Sequence, residues 1–149
     1  MSGTDRNQEY VREFTYHAWA NDLWVAAAPN LPFADQANDI LRHIAMAQNR
    51  WLGRCWNEDE QAPEEPDTAA WLSATNARWR EFIAMADIEA FINWEREGKV
   101  MYLTLEDIVR QLINHGNYHR GELRGLCRAH GVEEFPETDF ARYVMQIEN

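Results

Sequence analysis

Cysteine is scarce: the 149 residues hold only Cys55 and Cys127. Two cysteines are too few for a disulfide framework, so reduced thiols and a cytoplasmic location are the expectation. Positive charge is also short, with 14 Lys+Arg against 25 Asp+Glu and a formal charge of −11. That balance argues against nucleic acid or an anionic membrane as the main partner. No apolar run approaches the length of a membrane span. The opening "MSGTDRNQEY" lacks the basic and apolar regions of a secretory leader. Internal repeats and low-complexity segments are missing too, which excludes a helical-repeat array.

What is present suits one ordinary domain spanning 1–149, able to bury roughly two-thirds of its unfolded surface. Hydrophobic content is 46%, and seven tryptophans, several at helical spacing, suggest a bulky core. Over residues 8–28, Tyr10, Phe14, Ala18 and Val25 fall near one helical stripe, which Pro29 and Pro32 end. Asp35 is the expected N-cap of a second helix over about 36–56, with Ile40, Leu41, Ile44, Gln48, Trp51, Leu52 and Cys55 along one face. Residues 57–67, "NEDEQAPEEPD", read as a solvated acidic connection. A third helix is expected from Thr68 to about Asp87.

The period then changes. Ile88, Ala90, Ile92 and Trp94 alternate, as do Val100 and Tyr102, and Glu97-Gly98 supplies a turn between them. This predicts a short hairpin within 88–104. Thr104 with Asp107 opens the last helix, 105–130, about 39 Å long, and Gly131 ends it. The tail 132–149 keeps Phe135, Phe140, Tyr143 and Val144 and should lie against the body. The fold class is all-α: a four-helix bundle whose long crossover carries a short β-hairpin before the last helix.

The last helix raises the chemical question. Its apolar row runs Leu105, Ile108, Leu112, then His115 and His119, then Leu123 and Leu126. Four residues advance a helix by about 6 Å and about 40° net, so the two imidazoles stack on one side, taken here as inward. Such a pair can share one metal. It equally suits a hydrogen-bonded core, and spacing does not choose. A third ligand would come from His17 or His43, with His43 favoured by its apolar surroundings. His130 lies roughly 16 Å beyond His119 and Cys127 about 12 Å, so neither reaches. Two Glu-x-x-His pairs, which a dimetal carboxylate centre needs, are absent. Of the helix's glycines, Gly116 would leave room for a ligand, and Gly121 and Gly125 would let a neighbouring helix approach.

At these residues the chain resembles the DinB/YfiT-like superfamily of metal-binding four-helix bundles. The likeness is carried in order by "YHAWAND", "ILRHIAMAQNRWLGR", "INHGNYHRGELRGLCRAHG" and "PETDFARYV". The resemblance implies a divalent metal, zinc or nickel, held by His43, His115 and His119. It also implies a homodimer, and His17 departs from the family pattern as a fourth ligand or a neighbour of the ligands. Three neutral imidazoles leave positions open on a metal, as in catalytic sites. By resemblance to thiol-dependent transferases and isomerases, the expected activity is transfer of a low-molecular-weight thiol to a small electrophilic substrate. The alternatives are a non-enzymatic metal-binding stress-response protein and a hydrolase using metal-bound water. Supporting candidates are Asn21 and Glu122, to orient a ligand imidazole, and Tyr118 and Arg120, which flank His119. Arg120, Arg124 and Arg128 form a basic row expected to face surface acids or, less simply, a substrate carboxylate.

Overall fold

The computed structural model describes residues 3–149. In chain order it contains α1 (Gly3–Ala27), α2 (Ala34–Cys55), α3 (Thr68–Met85), β1 (Phe91–Arg96), β2 (Lys99–Thr104), α4 (Leu105–Ala129) and a short α5 (Phe140–Tyr143). The molecule is thus mostly helical, with one small antiparallel sheet. Helices α1 and α2 each pack against both α3 and α4. No helix among the described residues is long and apolar enough to cross a membrane.

Two apolar clusters form the core. One gathers Phe14, Leu52, Trp79, Ile83, Ile108 and Leu112; the other gathers Trp24, Leu41, Ile44, Leu72 and Leu123. Each long helix contributes to both, and the residues between its two contributions are polar and buried. These are His17 and Asn21 on α1, Gln48 on α2, Thr75 and Asn76 on α3, and Arg120 on α4. A polar layer therefore crosses the middle of the core. Most of its polar atoms find partners: Gln48 Nε2 donates to Thr75 Oγ1 (2.8 Å) and Asn76 Oδ1 (2.9 Å), and the Trp79 indole donates to the Gln48 carbonyl (2.8 Å). Buried polar groups are tolerated when bonded in this way.

The hairpin and last helix follow the expected local chemistry. Strands β1 and β2 pair from Phe91↔Thr104 to Arg96↔Lys99. Glu97 (φ 52°) and Gly98 (φ 76°) form the two-residue turn, whose left-handed backbone matches strand twist. Thr104 Oγ1 accepts from the Asp107 amide (3.2 Å), and Gly131 (φ 71°) follows the end of α4. The Leu105 and Glu106 amides donate to Ala90 and Ile88 carbonyls (both 2.9 Å), anchoring the start of α4 to the bend before β1.

Three boundaries differ from expectation. Helix α1 begins at Gly3, because Asn7 Nδ2 donates to the Ile83 and Ala86 carbonyls at the end of α3 (2.7 and 2.8 Å) and Arg6 pairs with Glu89 and Glu106. Those partners are distant in sequence. Phe33, not Asp35, caps α2, its carbonyl taking the Ala37 amide (2.9 Å). Ile88 and Ala90 precede the strand rather than belong to it, and Ile88 is buried in the bend. The tail does lie on the body: Tyr143 packs on Tyr16 and Trp19, and Arg12 pairs with Glu148 (2.7 Å).

Candidate metal centre

His115 and His119 lie one turn apart on α4, facing His43 of α2. His115 Nε2 is 3.1 Å from His43 Nε2 and 3.2 Å from His119 Nε2. One ligand atom from each of the three lies within 4.8 Å of the others. Nitrogens bound at zinc-like distances around one tetrahedral ion stand about 3.3 Å apart, so the spacing suits a shared ion. The donor chemistry suits it as well. Glu122 Oε1 lies 3.0 Å from His119 Nδ1. A carboxylate accepts, so Nδ1 carries the proton and Nε2 offers its lone pair toward the cluster. Burial, then the charges His119 and His43 would carry, push His115 down to about 4. Burial and His119 also hold His43 below the ordinary imidazole value. Both are then neutral near pH 7, the form that binds metal. The group could hold a metal ion.

The three rings do not face inward as the leucine row suggests. His115 and His119 are half-buried and His43 is exposed. The interior stripe of α4 passes instead through Gly116, Arg120, Leu123 and Cys127, and the histidines occupy its α2 edge. Of the three, His43 also lines a groove of about 760 Å³ whose wall includes Met46, Arg50, Asp39 and Trp71.

His17 stands apart from the cluster. Its Nε2 lies 2.6 Å from Gln48 Oε1 and 3.2 Å from Asn21 Nδ2, and its Nδ1 lies 3.1 Å from Arg120. Both ring nitrogens are thus engaged in the polar layer, which leaves neither for a metal. Burial, followed by the charge of Arg120, pushes it down to about 3. Asn21 touches His17 and Arg120, not the three histidines. Tyr118 is exposed, with its ring edge-on to His119 at 5.1 Å.

Arg120 and the glycines depart furthest from expectation. Arg120 does not join a surface row. It is buried and donates to Asn21 Oδ1 (2.6 Å) and Asn117 Oδ1 (2.7 Å), with burial lowering its pKa to about 10. Gly116 leaves no room for a ligand: a Cβ there would collide with the His17 ring and stand 2.8 Å from the Arg120 guanidinium. The glycine exists so that His17 can reach α4. Gly121 and Gly125, read as helix-approach points, have nothing within 4 Å of where a Cβ would be. The inward turn of Arg120 was detectable in principle. A helical wheel through Leu105, Val109, Leu112, Leu123 and Cys127 centres nearer 116 and 120 than 115 and 119.

No curated protein and no solved structure gives a significant match. The sequence model of the DinB family matches residues 4–148, so it takes in all three clustered histidines, the polar layer and the hairpin. On that match, the chain belongs to the DinB family.

Proposed function

We propose that the protein is a four-helix bundle that binds a divalent metal, zinc or nickel, through His43, His115 and His119. On this reading it is an enzyme that transfers a low-molecular-weight thiol to a small electrophilic substrate. The observation that carries the reading is that His115 Nε2 lies 3.1 Å from His43 Nε2 and 3.2 Å from His119 Nε2, with His43 also lining an open groove. A metal held there supplies Lewis acidity, which favours the deprotonated form of a coordinated thiol or water. The residues of the chain do the rest. Glu122 fixes the tautomer of His119. Exposed Arg50 on the groove wall attracts an anionic group of thiol or substrate. Met46 gives the electrophile an apolar surface.

A purely structural metal is the rival reading. It is disfavoured because the two apolar clusters and the polar layer close without the three rings, which sit at the edge. A metal at that edge would add its binding energy to a core that already packs without it. The test strips the protein with chelator and assays it against thiols and electrophiles before and after reloading. Retained fold, lost turnover and recovery on reloading support the enzyme. Unfolding on stripping, with no thiol reacting in the loaded form, would sink it. Turnover that proceeds without any thiol would transfer the site to the hydrolase reading.

A further inference from the structure

The exposed side of α2 near its C-terminus and the adjoining face of the hairpin gather cations on a chain whose formal charge is −11. Arg50 and Arg54 stand one turn apart on α2 and so share a flank. Trp94 of β1 packs edge-on to Trp51 of α2 at 5.0 Å, which brings the hairpin against that flank. Arg96 falls two places after Trp94, on the same face of the strand, and Lys99 is its partner across the ladder. Glu95 takes the opposite face, and Glu97 lies in the turn. All four cations are exposed. None forms an ion pair or a side-chain hydrogen bond among the described residues, whereas Arg6, Arg12, Arg42 and Arg110 each hold a carboxylate.

Arg54 is the fixed point of this patch. Its guanidinium lies 4.5 Å from the centroid of the Trp51 ring and 5.5 Å from that of Trp94. A stacked arginine is held by its faces and keeps its N–H edge for a partner, so it has little freedom left to lose on binding. Burial, then the charge of Arg50, lowers its pKa, and Arg96 acts in the same direction. No carboxylate is among the charges acting on it. Like charges assembled without a counter-charge are relieved by anionic groups brought to them. We propose that this face docks a short, carboxylate-rich segment of another protein, gripped by the N–H edges of Arg54 and Arg96. Arginine forks match carboxylates, and arginine and tryptophan are the residues that carry most binding energy in protein interfaces. Nucleic acid is disfavoured on two counts. Arg54 and the edge-on packing already occupy the Trp51 and Trp94 rings, which denies bases a stacking platform. A long polyanion would also run beyond the patch onto an acidic chain. The face meets the groove beside His43 only at Arg50, and the proposal is independent of the metal reading.

The test follows the fluorescence anisotropy of a fluorescein-labelled peptide of repeated Glu-Glu-Ser as the full chain is added at physiological salt. Saturable binding is expected. Arg54→Gln/Arg96→Gln should weaken it by about tenfold or more. Arg128→Gln/Arg142→Gln removes the same charge from exposed positions elsewhere and should change it by less than about twofold. Should the first pair fail to fold, Arg96→Gln alone still decides, with an expected loss of about threefold or more. Absence of saturable binding overturns the proposal, as does equal weakening by the two pairs. A labelled oligothymidylate that binds more tightly than the peptide overturns it in favour of nucleic acid. Sedimentation velocity tests the chain against itself. A dimer that Arg54→Gln/Arg96→Gln dissociates would overturn the proposal in favour of a second copy, whose acidic segment 57–67 would then be the occupant.

Discussion

Gly116 holds the closest approach in the polar layer, where the His17 ring and the Arg120 guanidinium both press on α4. Alanine there improves helix propensity by about 1 kcal/mol but forces two buried, bonded side chains apart. Gly116→Ala should therefore lose about 2–3 kcal/mol in urea unfolding, as broken buried networks do. Exposed Gly125, with open space around it, makes the control: Gly125→Ala should gain about 0.5–1 kcal/mol. Equal effects at the two positions would contradict the placement of His17. Glu122 is the other residue with a sharp expectation. Glu122→Ala removes the acceptor that holds His119 Nδ1–H, and metal affinity measured by competition with a chromophoric chelator should fall about 10–100-fold.

His17 also links a residue to solution conditions. Its native pKa is pushed down to about 3, from an ordinary value of 6.5. Between those values the unfolded chain binds a proton that the native state refuses. Stability from this group is therefore full above pH 6.5 and falls as pH drops toward 3. The slope from one such group is at most about 1.4 kcal/mol per pH unit. Carboxylates titrate in the same window, so the comparison is with His17→Gln, whose stability should vary less steeply between pH 6.5 and 4.5. Parallel curves would mean that His17 is not held neutral.

At the scale of elements, the caps and turns do what their local sequence says. Thr104 caps α4 with one hydroxyl, so Thr104→Ala should cost about 1 kcal/mol, read by thermal or chemical unfolding. This part was legible because capping and two-residue turns depend on neighbours along the chain. The hairpin was legible for the same reason, from its alternation and Glu97-Gly98. The first turn of α1 was not, since "GTDRN" has no apolar period and its ties run to the end of α3, to Glu89 and to Glu106. The face of α4 was misread in an instructive way. Histidine in a leucine row looks interior, and an arginine next to it looks exposed. In the fold the polar layer draws Arg120 inward and the histidines move to the α2 edge. Only the partners on α1 and α2 decide this, and they lie about 70–100 residues away.

For the molecule as a whole, two apolar clusters with a bonded polar layer between them make a core that is complete without an ion. The three histidines were found in the sequence by kinship and are brought together in the fold by α2 packing on α4. On the proposed function, these rings bind one divalent metal at the edge of an otherwise finished core. Metal content of the purified full chain, compared with the His43→Ala/His115→Ala/His119→Ala variant, tests it most directly. About one equivalent of divalent metal should accompany the wild-type protein and be lost from the variant, with both chains folded. Equal metal in the two would contradict the account.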